Sequence, residues 1–244
     1  MLISTEDPLA VEAVDAIHRG DLETLTSLLD QHPELATARL GSEGCSRSLL
    51  LVATDWPGHF PQVGQVIRLL VAAGADVNAR FEGGHTETAL HWAASSDDVE
   101  ALDALLDLGA DIDADGAVIA GGTALADARA FGQWRAAIRL VERGASTTIG
   151  DEATLGLLDR LRARFSGPHP PSAEDVDRAF WGACHGGRLD AAQLLHGHGA
   201  DPNWVPPWED LTPLDAAQRS HEENGVDATE LLAWLRDLGA RSAR

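Results

Sequence analysis

The chain has 244 residues, which fits one or two domains of about 150 residues each. Its 39 acidic and 18 basic residues give a formal net charge of −21, so a nucleic-acid partner and binding to an anionic membrane surface are both disfavoured. Every basic residue is arginine, and lysine and tyrosine are absent, which excludes a Walker-type phosphate lysine and a Schiff-base lysine.

The composition also predicts where the protein works. Hydrophobic residues make up 44% of the chain, which is enough for a folded core, and no apolar run approaches the length of a membrane-spanning helix. The N-terminal residues are acidic and lack the apolar stretch of a signal peptide. Cys45 and Cys184 lie far apart without CxxC spacing. We therefore expect a cytoplasmic protein without a disulfide framework, a metal site or a cofactor, and the GC-rich residue usage suggests a bacterial source.

Two short motifs recur along the chain. The first reads GADVNAR, GADIDAD, GASTTIG and GADPNWV, beginning at Gly74, Gly109, Gly144 and Gly199, and an amphipathic apolar run precedes each copy. The second reads TALHWAA, TALADAR and TPLDAAQ, beginning at Thr88, Thr123 and Thr212. The first two spacings of the Gly motif are 35 residues. Such a period indicates an array of small helical units that stack to form a common core.

These motifs resemble those of the ankyrin-repeat family, whose unit of about 33 residues carries a T-P-L-H-x-A signature. The resemblance implies an all-α solenoid of helix-turn-helix units joined by short β-turn fingers, in one domain spanning 1–244. The third Gly-motif spacing of 55 residues is explained by a degenerate unit. The predicted units are 8–40, 41–79, 80–114, 115–146, 147–172 (degenerate), 173–206 and 207–244 (the C-terminal cap).

The second unit departs furthest from this pattern. It contains five more residues than the third unit between its Ser48 and Gly74, and the surplus lies in the segment DWPGHFPQ. Two prolines and a glycine predict a stiff, non-helical loop there. In the family, the two positions after the Ala-Ala of the first helix face the concave surface. That register implies concave positions for Asp55, Trp56, Phe131 and His185.

We predict a binding constellation from this register, from the loop and from the fingers. Its members are aromatic or titratable side chains, namely Asp55, Trp56, His59, Phe60, His85, Glu87, Phe131, His185, Trp204 and Trp208. Aromatic residues are enriched at the energetically dominant positions of protein interfaces. The leading hypothesis is therefore a monomeric interaction protein that binds a protein partner, apolar with some basic character, in its concave groove.

The alternative hypothesis is a metal-free enzyme or a small-molecule binder. Asp55 or Glu87 would orient His59 or His85, and the histidine would act as general acid or base on a small apolar molecule. Isomerisation, cyclisation and hydrolysis all suit such groups, although ankyrin arrays rarely catalyse reactions. A closed pocket with His59 and His85 at one point would favour chemistry, and an open groove would favour protein binding.

Other conspicuous residues have structural explanations. His91 is expected to be the family's hydrogen-bonding histidine, and Trp92 is expected to belong to the core. Asp97 and Asp98 are expected to be turn and cap residues. The run Asp111-x-Asp113-x-Asp115 begins like a calcium loop, but glycine stands at the twelfth position, where a bidentate glutamate is required.

Overall fold

The computed structural model describes residues 1–243, which form two compact units, Met1–Ala145 and the residues from Ser146 onward. The division falls within one residue of the predicted boundary between the fourth and fifth repeat units. Each unit consists mostly of short helices that pack on their sequence neighbours. A predominantly helical repeat fold is therefore confirmed, while the division into seven repeats stays a prediction.

The first unit begins with a strand and contains eight α-helices. These elements are β1 (Leu2–Ile3), α1 (Pro8–Arg19), α2 (Leu22–Gln31), β2 (Arg39–Ser42), β3 (Cys45–Ser48), α3 (Leu49–Ala53), α4 (Val63–Ala72), α5 (Ala89–Ser95), α6 (Val99–Asp107), α7 (Ala124–Ala130) and α8 (Trp134–Glu142). A single 3₁₀ helix, Pro33–Thr37, joins α2 to β2. Helix α5 contacts both α6 and α7, so it lies at the centre of the part of the unit that carries the pocket described below.

The helices of the first unit are too short to be stable alone, and they are held by capping and by burial. Asp7 accepts a hydrogen bond from the backbone of α1 and is followed by proline at the first helical position. Gly20 ends that helix with φ of 65°, and a Cβ there would lie 2.2 Å from the Pro61 carbonyl oxygen. Leucine and alanine side chains fill the interior between successive helices.

A small sheet at the N-terminus was not anticipated from the sequence. Strand β1 pairs in parallel with β2, and β2 pairs antiparallel with β3. Isolated bridges continue this pairing along the fingers, between Ser46 and Glu82 and between Arg80 and Thr88. The mostly helical fold thus also contains strands of two to four residues. Their pairing provides hydrogen-bond partners for backbone N–H and C=O groups that lie outside the helices.

Two arginines join successive fingers. The Arg39 guanidinium donates to Ser46 and, at 2.8 Å, to the carbonyl oxygen of Arg80. The Arg80 guanidinium donates in turn to the Thr86 carbonyl and to the backbone and side chain of Asp115. These bonds link neighbouring fingers and help to fix the spacing between them.

The loop between α3 and α4 is anchored along its length, and it is non-helical as predicted. The backbone N–H of His59, in this loop, donates a hydrogen bond to Asp98 Oδ2 at 2.6 Å. The same aspartate caps α6, because its Oδ1 accepts from the Ala101 N–H at 3.1 Å. The predicted role of Asp98 as a cap residue is confirmed.

The second unit consists of six helices among its described residues. These are α9 (Ile149–Leu155), α10 (Leu158–Ser166), α11 (Ala173–His185), α12 (Leu189–Gly197), α13 (Pro213–Glu223) and α14 (Thr229–Asp237). Capping boxes, in which a Ser or Thr pairs with an Asp three residues later, begin α9, α11 and α13. The core of this unit surrounds Phe180, which is fully buried among alanine and leucine side chains.

The double role of Asp98 leads to a stability prediction. Substitution of Asp98 by Ala should lower the free energy of unfolding by about 2–4 kcal/mol, because α6 loses its cap and the His59 N–H loses its acceptor. Asp30→Ala is the matched control, since Asp30 is exposed in the last turn of α2 and does not cap the start of a helix. Chemical denaturation measures both variants. Equal unfolding free energies for the two would contradict the prediction.

Candidate functional site

A pocket of about 480 Å³ lies on the first unit. Four segments form it: the loop after α3, the finger before α5, the end of α5, and the finger and turn that flank α7. It is lined by Asp55, Trp56, His85, Glu87, Trp92, Ser95, Ser96, Val118, Phe131 and Gln133. We call this set of residues the aromatic pocket.

The structure brings five of the sequence-predicted residues together in the aromatic pocket. They are Asp55, Trp56, His85, Glu87 and Phe131. Asp55, Trp56 and Phe131 follow the ends of the short helices α3 and α7, whereas His85 and Glu87 lie on the finger before α5. Trp56 and Phe131 are 82% and 45% exposed, so two aromatic rings stand open to solvent at this site.

His59 and Phe60 have other contacts and do not line the aromatic pocket. His59 Nε2 lies 2.9 Å from the Ser96 carbonyl oxygen, which holds the ring against the end of α5. Phe60 stacks on His18 with ring centroids 4.3 Å apart. Both residues therefore fasten the loop that carries Trp56, and the two histidines His59 and His85 do not converge on one point in the pocket.

The remaining predicted residues belong to the second unit. His185 is buried, its Nδ1 lies 3.0 Å from Ser220 Oγ, and its ring stacks near Trp181. Trp204 and Trp208 contact each other edge to face, with centroids 5.8 Å apart. Trp208 is 51% exposed. The predicted extension of the binding surface to these three residues stays a prediction.

Glu87 is the most completely held acidic residue of the aromatic pocket. Its side chain is only 8% exposed. Oε2 accepts from the Trp92 indole N–H, and Oε1 accepts from the Val118 backbone N–H, both at 2.8 Å. His85 Nδ1 lies 3.0 Å from Oε2, which is an ion-pair distance, although Nδ1 forms no hydrogen bond of acceptable geometry. The carboxylate is therefore fixed in position and faces the pocket.

Asp55, the other acidic residue of the pocket, is already neutralised. Its Oδ2 forms a salt bridge with the Arg47 guanidinium, and its Oδ1 accepts from the Trp56 N–H at 2.9 Å. This hydrogen bond to the following residue helps to set the start of the loop. The two carboxylates thus differ, since Asp55 has an arginine partner whereas the salt-bridge partner of Glu87 in the described structure is His85.

A third acidic residue, Asp127, lies behind Glu87 and was not predicted from the sequence. Its side chain is 0% exposed, and neither carboxyl oxygen makes a hydrogen bond of acceptable geometry. Burial, and then the negative charge of Glu87, raise the pKa of Asp127 to about 8. At neutral pH the Asp127 carboxyl therefore keeps its proton.

The sequence did contain a signal for Asp127. The motif TALADAR places an aspartate at the position that is tryptophan in TALHWAA, in the middle of a first helix. A charged residue at a packed position is a reason to expect a perturbed pKa or a partner. Trp92, the corresponding tryptophan, was assigned to the core, but it is only half-buried and forms part of the pocket wall.

His91 has the structural role expected of it. Its Nδ1 accepts from the Thr88 N–H at 3.2 Å, and its Nε2 lies 3.4 Å from the Gly122 carbonyl oxygen. The ring thus connects two neighbouring fingers. Burial lowers the pKa of His91. Within residues 1–243, no three His, Cys, Asp or Glu side chains are grouped as metal ligands would be.

Comparison with known protein families identifies the fold. A model of ankyrin repeats in three copies matches residues 13–116 and again residues 61–151, which together exceed half of the chain. The chain belongs to the ankyrin-repeat family. The resemblance drawn from the Gly and Thr motifs is therefore confirmed, and ankyrin repeats generally mediate protein–protein interaction. A comparison with curated proteins finds no significant match. Each helix of this ankyrin-repeat protein, over the described residues, is too short or too polar to cross a bilayer.

The raised pKa of Asp127 predicts an unusual pH dependence. Between its ordinary pKa of 3.8 and about 8, the folded state binds a proton that the unfolded chain releases, so stability falls as pH rises through that range. Asp127→Asn removes this dependence. As pH rises from 5 to 8.5, the unfolding free energy of the variant should increase by roughly 1–4 kcal/mol relative to that of the native protein.

Denaturation at the two pH values measures this gain. Asp30→Asn makes the same substitution at an exposed position of α2, and its unfolding free energy should differ from that of the native protein equally at both pH values. A constant difference between Asp127→Asn and the native protein would show that Asp127 ionises normally.

Proposed function

We propose that this ankyrin-repeat protein is an interaction module that binds a protein partner at the aromatic pocket. The observation that carries the proposal is the exposure of Trp56 and Phe131 in a pocket that is also lined by fixed polar groups. Large aromatic side chains are usually buried in a folded protein. Where they lie exposed in a binding surface, they often contribute most of the binding energy. The family's general role in protein–protein interaction supports the same conclusion.

Rigid support of the exposed rings favours binding further. Trp56 projects from a loop that is fastened through His59 to Asp98 and Ser96, and through Phe60 to His18. A loop backbone that is already ordered loses little conformational entropy when a partner binds to it. The loop therefore presents Trp56 in a form suited to recognition.

The catalytic alternative has less support. A general acid or base must lie within hydrogen-bond reach of the reacting group. Asp127 has the pKa of a useful acid, but it is fully buried behind Glu87 and does not line the pocket. His59 is engaged with the Ser96 carbonyl. Of the proposed acid–base pairs, only His85 and Glu87 meet at the site, so we favour binding over catalysis.

We further propose that the protein is a cytoplasmic monomer built as one array of seven repeats. The free thiols of Cys45 and Cys184 fit a reducing compartment. Recurrent Thr and Ser caps support the repeat assignment, because they begin helices in both the matched part of the chain and the part beyond residue 151.

The partner site can be tested by comparative capture. The immobilised protein and its Trp56→Ala plus Phe131→Ala variant are exposed to extract of the source cells, and the retained proteins are quantified. We expect the variant to retain at least about tenfold less of the proteins that the native chain retains. Truncation of central aromatic residues commonly costs about 2 kcal/mol or more of binding free energy.

The control is Val11→Ala plus Ile138→Ala, which truncates two apolar residues of the first unit, on α1 and α8, outside the pocket. It should retain the same proteins as the native chain. Retention that survives the Trp56 and Phe131 substitutions would place the partner site elsewhere.

A further inference from the structure

The aromatic pocket combines a largely buried acidic group in its lining with aromatic walls. Glu87 faces the pocket, and Trp56, Trp92 and Phe131 contribute ring surfaces to it. Ring faces attract cations electrostatically, and this attraction strengthens where water is partly excluded. A carboxylate beside such rings therefore favours a cationic ligand over a neutral or anionic one.

The charge of Glu87 is not balanced by an arginine in the described structure. Its hydrogen-bond donors are the neutral indole of Trp92 and the backbone of Val118, and its ion-pair partner is His85. Behind it, Asp127 contributes no positive charge and would repel Glu87 if ionised. A partly buried carboxylate in these surroundings gains more from an incoming cation than the Asp55 carboxylate, which already pairs with Arg47.

The lining of the pocket favours guanidinium over ammonium. A guanidinium is flat, stacks on aromatic rings and is more weakly hydrated than an ammonium group. It also carries five N–H donors, so it needs several acceptors. The pocket offers Glu87 Oε1, which has accepted one hydrogen bond, together with the Ser95 and Ser96 hydroxyls and the Gln133 amide oxygen.

We propose that the aromatic pocket receives an arginine side chain from the partner protein, with the guanidinium beside Glu87 and stacked between the exposed rings. This inference rests on the proposed function, because it specifies the chemistry of the partner at the same site. The net charge of −21 adds long-range attraction for a basic segment and predicts binding that weakens with salt. Exposed Val118 and Phe131 at the rim suit apolar residues on either side of the arginine.

Short synthetic peptides test the proposal on the full chain. The probes are acetyl-Leu-Arg-Leu-amide, the same peptide with lysine, and the same peptide with citrulline, a neutral analogue of arginine of nearly equal shape. Titration is followed by the indole N–H signals of Trp56 and Trp92 in ¹H–¹⁵N spectra. We expect the arginine peptide to shift both signals and to bind roughly tenfold more tightly than the citrulline peptide, with the lysine peptide intermediate.

Two protein variants localise the effect. Glu87→Gln should weaken the arginine peptide by about tenfold and leave the citrulline peptide nearly unchanged, while Asp30→Asn, an exposed acid outside the pocket, should change neither. Trp56→Ala keeps the test decisive if Glu87→Gln does not fold, because Trp56 is exposed. It should weaken the arginine peptide at least threefold.

Several results would overturn the inference. Equal affinity for arginine and citrulline peptides would show that charge is not recognised, and shifts confined to other tryptophans would place binding elsewhere. Arginine amide alone binding as tightly as the tripeptide would assign the pocket to a free small cation and not to a partner segment.

Failure of this inference can be separated from failure of the proposed function. Loss of captured proteins in the Trp56 and Phe131 variant, together with no binding of the arginine peptide, would leave the partner site standing and reject arginine. If the Trp56 and Phe131 variant still captured the same proteins, the proposed partner site would be rejected. The proposal that this site receives an arginine from a partner would then be rejected as well.

Discussion

The whole structure depends on the instability of its individual helices. The fourteen α-helices within residues 1–243 have five to thirteen residues each, too few to be stable without neighbours. They therefore bury alanine- and leucine-rich faces on their neighbours, and several of them receive N-terminal hydrogen bonds from Thr, Ser or Asp caps. Because stability comes from contacts between successive elements, the helix ends and fingers are fixed by the array itself. Side chains at the helix ends and in the fingers are therefore available for binding.

The aromatic pocket shows how such fixed ends become a site. Asp98 caps α6 and at the same time holds the loop that carries Trp56. His91 and the arginines of the fingers set the spacing at which Glu87 meets Val118. No single repeat contains the pocket, since its residues come from three predicted units. It exists because neighbouring units stack in one register.

Two carboxyl groups in one low-dielectric region cannot both be charged without a large penalty, and the molecule separates their roles. Glu87 receives the hydrogen bonds and faces the pocket, whereas Asp127 is buried and keeps a proton. The result is an acidic recognition group with a neutral acid behind it. An incoming guanidinium would add a positive charge beside Glu87, whose ion-pair partner in the described structure is His85. The charge states of Glu87 and Asp127 therefore link the stability of the fold to the proposed recognition of arginine.

The sequence by itself determined the repeat family, the helical class, the caps and the irregular loop, because these follow from local motifs and their spacing. It also selected Asp55, Trp56 and Phe131, since register fixes which positions of a repeat share a face. From the finger of the third predicted unit it selected His85 and Glu87. It could not place Trp92 in the pocket wall, separate His59 and Phe60 from it, or pair Asp127 with Glu87. Only the tertiary structure decided these, because burial and hydrogen bonding depend on how side chains from different repeats meet, and distances between them are not encoded in any local pattern.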